Sequence, residues 1–221
     1  MTTRVLFIAP ALGPALREAR FGEPDAADHG LDASADRPVG PRGGLDSAGL
    51  RQAEAARGSA QAMVAPTATL YVSPSRRCRE TAEALGLQAE SLPGLAPCAM
   101  GRWQGRTLDE VAAAEPESVA AWLSDPASAP HGGEPLLALL ARAGEWLDGL
   151  TSGQATRATP AKGRVVAVAE PDIVRAAAVH ALGAGPQAFW RIDVRPLSVT
   201  ELSGRDGRWN LLSGRPLHSG V

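Results

Sequence analysis

Two residues with reactive side chains, Arg77 and Glu170, each follow a short apolar run of the sequence. Arginine binds carboxylates and phosphates through paired hydrogen bonds, and glutamate can act as a general acid or base. Glu170 could pair with Arg77, since a buried arginine needs a partner. It could instead be a catalytic acid or base while Arg77 holds a substrate carboxylate or enolate, or it could be solvent-exposed without a role. A nearby arginine lowers the pKa of a carboxyl group and makes it a weaker base, which favours the ion pair.

The other residues that could ligate a metal are dispersed along the chain: His29, His131, His180, His218, Cys78 and Cys98. None of them has the paired spacing of a zinc site, so we expect no metal and no cofactor. His131 precedes two glycines and is expected to shape a loop. His180 is expected near the carbonyl end of a helix, where an imidazole is favourable.

The composition indicates one globular domain spanning residues 1–221. Hydrophobic residues make up 44% of the 221 residues, the net charge is -2 and the isoelectric point is about 6.1. This near-neutral balance is not typical of a nucleic-acid-binding protein. No apolar run approaches the roughly 20 residues that span a bilayer. We therefore expect a soluble cytoplasmic protein with no nucleic-acid or membrane partner.

Predicted strands and helices alternate along the chain. The apolar runs and their spacing predict strands at 5–9, 69–73, 165–169, 189–195, 198–202 and 208–212, and helices at 47–63, 76–85, 107–123, 134–150 and 171–182. Gly-, Pro- and Ser-rich stretches predict a long loop or flap at 21–46, a surface linker at 151–163 and a tail at 213–221. This alternation predicts an α/β fold with a mostly parallel sheet covered on both faces. Ligand sites in such sheets lie at the carboxyl ends of strands, here after Ala9, Ser73 and Ala169.

Six segments carry motifs in a fixed order: 45–53 (Leu-Asp-Ser-Ala-Gly-Leu-Arg-Gln-Ala), 73–82 (Ser-Pro-Ser-Arg-Arg-Cys-Arg-Glu-Thr-Ala), 101–107 (Gly-Arg-Trp-Gln-Gly-Arg-Thr), 131–134 (His-Gly-Gly-Glu), 166–175 (Val-Ala-Val-Ala-Glu to Arg175), and 182–183 with 198–200 (Leu-Gly, Ser-Val-Thr). Together they resemble the motifs of the histidine phosphatase (phosphoglycerate mutase-like) superfamily. The resemblance covers residues 4 to about 204. It implies a three-layer α/β/α domain with a mostly parallel central sheet.

The sequence departs from the family pattern at the positions that carry the family's chemistry. The family begins with strand-Arg-His-Gly, whose histidine is the phosphorylated nucleophile, and the matching residues here are Ala9, Pro10 and Ala11. By the same alignment, the second pocket histidine falls on Glu170 and the proton-donating carboxylate falls on Pro97. Arg77 is the retained member of the central charged set.

The resemblance therefore implies a pocket that has lost most of its positive charge. Two arginines and two histidines in the family are replaced by Arg77 and Glu170, which together are roughly neutral. A carboxylate beside a phosphate repels it, so we expect phosphoesters to bind poorly unless Arg17 or Arg20 reaches in from the loop after the first strand.

Three functional hypotheses follow. The first is a catalytically degenerate histidine phosphatase, a pseudophosphatase that acts as a binding or regulatory module. The second is a repurposed enzyme that uses Glu170 and Arg77 on a non-phosphorylated, carboxylate-bearing substrate. The third is a residual phosphoester hydrolase. The expected partners are a small anionic or carboxylate ligand, or another protein.

Overall fold

A six-stranded sheet organises the chain in the computed structural model, which describes residues 2–22, 43–152 and 163–213. The strands are β1 (Thr3–Ile8), β2 (Thr69–Val72), β3 (Glu90–Ser91), β4 (Arg164–Val168), β5 (Val199–Arg205) and β6 (Arg208–Leu212). They lie in the order β3-β2-β4-β1-β5-β6. The first four in this order are parallel, whereas β5 is antiparallel to both β1 and β6. The predicted mostly parallel sheet is therefore confirmed.

Helices connect these strands and cover the sheet. They are α1 (Pro14–Arg17), α2 (Ser47–Met63), α3 (Arg76–Ala84), α4 (Leu108–Ala114), α5 (Pro116–Ser124), α6 (Leu136–Thr151) and α7 (Pro171–Leu182). Short 3₁₀ turns occur at Pro93–Leu95, Gly101–Trp103 and Pro186–Arg191.

Alternate residues of the strands divide the core into two layers. Val5 and Phe7 of β1 pack on the same side of the sheet as the buried faces of α6 and α7. Leu6 and Ile8 pack on the other side, with buried residues of α2 and α3. Because successive side chains of a strand point to opposite faces, a strand with four apolar residues in a row must be covered on both. The three-layer α/β/α arrangement is confirmed.

Several helix ends follow the local signals of the sequence. Thr107 and Glu110 form the reciprocal hydrogen bonds of a capping box. Pro171 is the first residue of α7, and Gly183 ends the helix with φ of 58°. Gly86 follows α3 with φ of 71°, a left-handed conformation that glycine adopts without steric cost. The cap of α2 is Asp46 rather than the predicted Ser47, since the Asp46 carboxylate accepts from the Gly49 amide at 2.6 Å.

Three sequence predictions are corrected by the structure. The helix predicted over 107–123 is broken at Glu115, because the following proline begins a new helix, α5. The helix predicted from Glu134 begins at Leu136, after a proline in extended backbone. The strand predicted over 189–195 is absent from this described segment, which forms the 3₁₀ turn Pro186–Arg191 and then irregular chain. Its alternating pattern reflects aromatic packing. Phe189 is buried in the core, and the ring centroids of Trp190 and Trp122 are 4.8 Å apart.

Parts of the three predicted irregular segments lie outside the described residues. They are 23–42 of the loop predicted at 21–46, 153–162 of the linker predicted at 151–163, and 214–221 of the predicted tail. His29 and His218 fall within them. Thr151, predicted as linker, is the last residue of α6.

Two glycines of α2 provide a matched test of this packing. A methyl group on Gly49 would lie 2.0 Å from the backbone oxygen of Leu12, whereas one on Gly58 would have no atom within 4 Å. We expect Gly49→Ala to lower the free energy of unfolding by about 1–3 kcal/mol through this clash. Gly58→Ala should raise it by about 0.5–1 kcal/mol, because alanine loses less backbone entropy in a helix. Urea unfolding of both variants measures the difference, and equal effects would contradict the predicted contact between α2 and the Leu12 backbone.

Candidate functional site

The carboxyl ends of β1, β4 and β2 bring the predicted site segments side by side. Strand β4 lies between the other two. Two backbone hydrogen bonds join β4 to its neighbours at this end of the sheet. The Ala169 amide, just after β4, donates to the Ile8 oxygen of β1 at 3.1 Å, and the Ser73 amide, just after β2, donates to the Val168 oxygen of β4 at 2.8 Å. The chain after Ala9, after Ser73 and after Ala169 therefore converges at one edge of the sheet, as the sequence predicts.

Arg77 and Glu170 form an ion pair at this edge. Glu170 is the residue immediately before α7, where its side chain makes no capping hydrogen bond, and Arg77 lies in the first turn of α3. The guanidinium Nη2 contacts Oε2 of the carboxylate, and Nε donates to Oε1 at 3.3 Å. Each side chain keeps 12% of its surface exposed. The structure thus brings together the two residues for which the sequence left pairing and catalysis open, and it pairs them.

Other donors complete the surroundings of the Glu170 carboxylate. The Ser75 hydroxyl donates to Oε1 at 2.8 Å, and the Cys78 thiol lies 3.6 Å from the same oxygen. Ser75 has a second function as the cap of α3, where its hydroxyl oxygen accepts from the Cys78 amide at 3.2 Å. A hydroxyl, a thiol and a guanidinium together surround Glu170 as they would surround a bound anion. We call Ser75, Arg77 and Cys78 the anion cradle.

The charges of the cradle are fixed by their surroundings. Burial lowers the pKa of Arg77, but the Glu170 charge and its hydrogen bond raise it, and the net direction is upward. Burial, followed by the Glu170 charge, raises the pKa of the Cys78 thiol well above its ordinary value. Arg77 is therefore a permanent cation, and Cys78 stays a neutral thiol that cannot serve as a thiolate nucleophile.

A second carboxylate, Asp172, borders the pair and was missed by the sequence analysis. Its Oδ2 accepts from the Cys98 amide at 2.7 Å, and its Oδ1 accepts from the Ile173 amide at 2.7 Å. Burial raises the pKa of Asp172 to about 6, with a further upward contribution from Glu170. Its position two residues after Glu170, in the first turn of a helix begun by proline, was the only available signal.

Three of the four positions that the resemblance aligns with catalytic residues of the family, Ala9, Pro10 and Pro97, carry no reactive group, and the fourth is Glu170. Ala9 and Pro10 are buried, and the adjacent Ala11 amide donates to the Thr81 hydroxyl at 3.1 Å. Pro97 is exposed. An alanine methyl and a proline ring contain neither a nucleophilic atom nor an ionisable proton.

Arg17 and Arg20 are held by partners other than the cradle. Arg17 donates to Asp46 at 2.6 Å, which ties the loop after β1 to the cap of α2. Arg20 donates to Glu18 at 2.8 Å and to the Gly105 oxygen. The contacts described for these two arginines do not join them to Arg77, so their proposed role in ligand binding stays a prediction.

The two described histidines take part in local structure. His131 is buried, its Nδ1 accepts from the Gly133 amide at 3.0 Å, and burial followed by the Arg102 charge lowers its pKa. His180 places Nε2 3.1 Å from both oxygens of Asp148. Across residues 2–22, 43–152 and 163–213, no three His, Cys, Asp or Glu side chains are grouped as metal ligands. In the same ranges, no helix has the length and hydrophobicity needed to cross a membrane.

The fold and the site define a three-layer α/β/α protein with a largely buried ion pair at the strand ends, and sequence comparison then gives its family. The profile of the histidine phosphatase superfamily (branch 1) matches residues 19–215. The chain therefore belongs to this superfamily. A comparison with curated proteins gave no significant match.

Solved structures of phosphatases share the fold over nearly the whole chain. A putative alpha-ribazole-5'-P phosphatase from Escherichia coli K-12 superposes with a TM-score of 0.74 at 17% identity, covering 99% of this chain and 98% of that one. A mycobacterial glucosyl-3-phosphoglycerate phosphatase superposes with 0.70 at 25% identity, covering 96% and 97%. The H9A mutant of a phosphoserine phosphatase from Entamoeba histolytica superposes with 0.72 at 16% identity, covering 96% and 95%.

A double-mutant cycle tests the energetic coupling of Arg77 and Glu170. Removing one partner leaves the other largely buried without its counter-charge, so Arg77→Ala and Glu170→Ala should each lose about 3–5 kcal/mol of unfolding free energy. The double variant should lose much less than the sum, because no charge is left unpaired. Urea unfolding at neutral pH measures all four proteins. The exposed pair of Arg205 and Asp206, 3.2 Å apart, is the control, and its cycle should show no measurable coupling. Additive effects at Arg77 and Glu170 would refute the coupling of this ion pair.

The raised pKa of Asp172 predicts a specific pH dependence of stability. Well below pH 4 the carboxyl is protonated in both the folded and the unfolded chain, and well above pH 6 it is ionised in both. Between these values the folded chain binds more protons, so stability falls as the pH rises. Asp172→Asn removes this loss but turns an NH₂ group toward one of the two amide donors, so its unfolding free energy relative to that of the unmodified chain should rise by about 1–3 kcal/mol between pH 4 and pH 7.5. Urea unfolding at both pH values measures it. A difference that does not change with pH would show that Asp172 has an ordinary pKa.

Proposed function

We propose that this protein does not hydrolyse phosphoesters and that it uses the histidine-phosphatase fold as a binding or regulatory module. The observation that carries the proposal is the ion pair of Arg77 with Glu170. The cationic group that would receive a phosphate is already bound by a carboxylate of the same chain. An incoming phosphate would have to displace Glu170 and then remain close to its negative charge.

Three chemical requirements of the family's route support the same proposal. The route needs an imidazole that attacks phosphorus, positive groups around the equatorial oxygens, and an acid that protonates the leaving oxygen. Pro10 takes the place of the imidazole, Glu170 offsets Arg77, and Pro97 takes the place of the acid. Loss of one electrostatic donor typically costs on the order of 10²–10³ in rate, and loss of the nucleophile removes the pathway.

The family match concerns the scaffold. It begins at residue 19, after the end of β1 and after Ala9, Pro10 and Ala11. The matched region covers most of the scaffold, and the unmatched region contains the segment in which the family carries its nucleophile. The solved phosphatase structures show that this chain has their fold, and a shared fold does not by itself imply a shared activity.

The repurposed enzyme of the second hypothesis would need a Glu170 that is free to accept a proton from a substrate. In the ion pair, both carboxylate oxygens are occupied by Arg77 and one also accepts from Ser75. This arrangement favours a binding module. Such a module would bind a small carboxylate or another oxyanion, or it would bind another protein. The cytoplasmic location expected from the sequence stays a prediction.

Steady-state hydrolysis of a panel of phosphoesters tests the proposal, with Arg77→Ala assayed beside the unmodified chain. We expect no turnover above the background of the variant, because the chain has no nucleophile at Pro10. Inorganic phosphate should also show no binding at sub-millimolar concentration at pH 8. An active phosphatase of the same fold serves as the positive control for the panel.

Turnover that disappears with Arg77→Ala would overturn the proposal and would show that the pocket still acts on phosphate. In that case His29→Ala is the next variant, since His29 is a histidine outside the described residues. Turnover that is equal in both proteins would be assigned to a contaminating enzyme and would leave the proposal standing.

A further inference from the structure

The outward face of α5 is apolar and exposed. None of the residues of this helix, all of which the structure describes, is buried, although Val119, Trp122 and Leu123 are apolar. Pro116, Ala120 and Leu123 recur at helical spacing among the exposed residues, and Leu123 keeps 47% of its surface exposed. A surface helix ordinarily turns its apolar side to the core and its polar side to solvent. In α5 an apolar stripe is left facing outward.

The inner side of α5 holds this stripe in a fixed position. The ring centroid of Trp122 lies 5.7 Å from those of Phe21 and Trp103 and 4.8 Å from that of Trp190, and all three contacts are edge-to-face. Aromatic pairs of this kind prefer defined geometries. A surface that is ordered before binding loses little conformational entropy when a partner docks, so α5 is suited to present its outer face.

The start of α6 extends the apolar stripe. The Leu137 amide donates to the Pro126 oxygen at 3.0 Å, which places Leu137 beside the chain that leaves α5. Leu137 is 45% exposed, and Ala127 in the connecting turn is also exposed. We call Ala120, Leu123, Ala127 and Leu137 the α5 surface. Grouped exposed apolar side chains, rather than single ones, are typical of interaction sites.

The charge around the α5 surface is negative. Residues 107–141 contain six acidic residues and no lysine or arginine. Arginines from outside this range face three of these acids, in the pairs Glu115 with Arg102 and Arg106, Glu134 with Arg142, and Glu110 with Arg20. The other three, Asp109, Glu117 and Asp125, are exposed and form no ion pair within residues 2–22, 43–152 and 163–213. Glu117 lies in the first turn of α5 and Asp125 directly follows the helix, so unpaired negative charge lies at both ends of the stripe.

This negative charge decides between the possible occupants of the α5 surface. A second copy docked face to face about a two-fold axis would bring the acidic ends of α5 near those of the other copy, and like charges repel. A nucleic acid or an anionic lipid surface would be repelled for the same reason. Residues 23–42 contain five acidic residues and two arginines, so this part of the chain has the same sign of charge as the surface. A segment that carries apolar side chains beside lysine or arginine is complementary in both respects.

We propose that the α5 surface docks a protein partner through a basic amphipathic helix, whose apolar side packs on Ala120, Leu123 and Leu137 and whose lysine or arginine side chains meet Glu117 and Asp125. The described residues of the surface belong to two helices and a turn and offer no strand edge for backbone pairing, so packing with a helix is the mode that they support. The inference rests on the proposed function in that the chain acts by binding, and it names the class of the partner.

A synthetic peptide of leucine and lysine is a suitable probe of this chemistry. It has about 14 residues, with leucine at positions i, i+3, i+4 and i+7 and lysine elsewhere. We expect saturable binding of the fluorescein-labelled peptide to the full chain by fluorescence anisotropy, and weaker binding in about 0.5 M salt than in about 0.05 M salt, because salt screens exposed charges. A peptide of the same pattern with glutamate in place of lysine should bind at least about tenfold more weakly.

Two variants with matched controls assign the binding to the α5 surface. Leu123→Ser removes an exposed apolar contact and Glu117→Lys reverses one charge, and each should weaken binding of the leucine–lysine peptide by about tenfold or more. Leu50→Ser and Glu54→Lys make the same changes at exposed positions of α2, where Leu50 is 42% exposed, and should bind like the unmodified chain. All four variants should unfold at the urea concentration of the unmodified chain, because each change is at an exposed side chain.

No saturable binding of the leucine–lysine peptide, or equal binding of the leucine–glutamate peptide, would overturn the inference. Undiminished binding in Leu123→Ser and Glu117→Lys would also overturn it. Sedimentation of the unmodified chain as a dimer that Leu123→Ser returns to a monomer would overturn it as well, since a second copy would then occupy the α5 surface. These outcomes leave the proposed function intact, which fails separately, through phosphoester turnover that depends on Arg77.

Discussion

A guanidinium group that is largely buried needs a counter-charge, and the structure around the strand ends is arranged to satisfy this need of Arg77. The counter-charge is Glu170, which follows a different strand, so the ion pair joins the start of α3 to the start of α7 across the edge of the sheet. Ser75 caps α3 and also donates to Glu170, which couples the cap to the pair. Neither helix start is electrostatically independent of the other.

Use of Arg77 by Glu170 has a consequence for Asp172. Asp172 accepts hydrogen bonds from backbone amides, one of which is the Cys98 amide. A separate ion pair, Arg142 with Glu134, holds the segment that contains Cys98. Arg142 also donates to the oxygens of Gly94 and Ala96, so the chain leading to Cys98 is fixed from α6. An ion pair of α6 therefore helps to position a hydrogen-bond donor for Asp172 at the start of α7, on the same side of the sheet.

The scaffold and the site support conclusions at different levels. Membership of the histidine phosphatase superfamily follows from a match over most of the chain, and the fold agrees with solved phosphatases over nearly its full length. At the strand ends, in contrast, the arginine of the site is paired with a carboxylate of the same chain. Function depends on such groups rather than on the scaffold, which is why the two levels need to be argued separately.

The sequence by itself determined the layer architecture and most element boundaries, because apolar periodicity, caps and breakers act over a few residues. Gly183, Pro171 and the Thr107 capping box are examples of such local signals. The sequence also placed Arg77 and Glu170 after the ends of two predicted strands, and parallel strands align their carboxyl ends. The strand predicted over residues 189–195 was wrong, because the alternating apolar residues there pack against aromatic rings of distant segments in a 3₁₀ turn. Only the tertiary structure decided that Glu170 pairs with Arg77, and that Asp172 lies against the Cys98 amide. The reason is physical, because both facts depend on distances and burial between segments that are more than 70 residues apart in the chain.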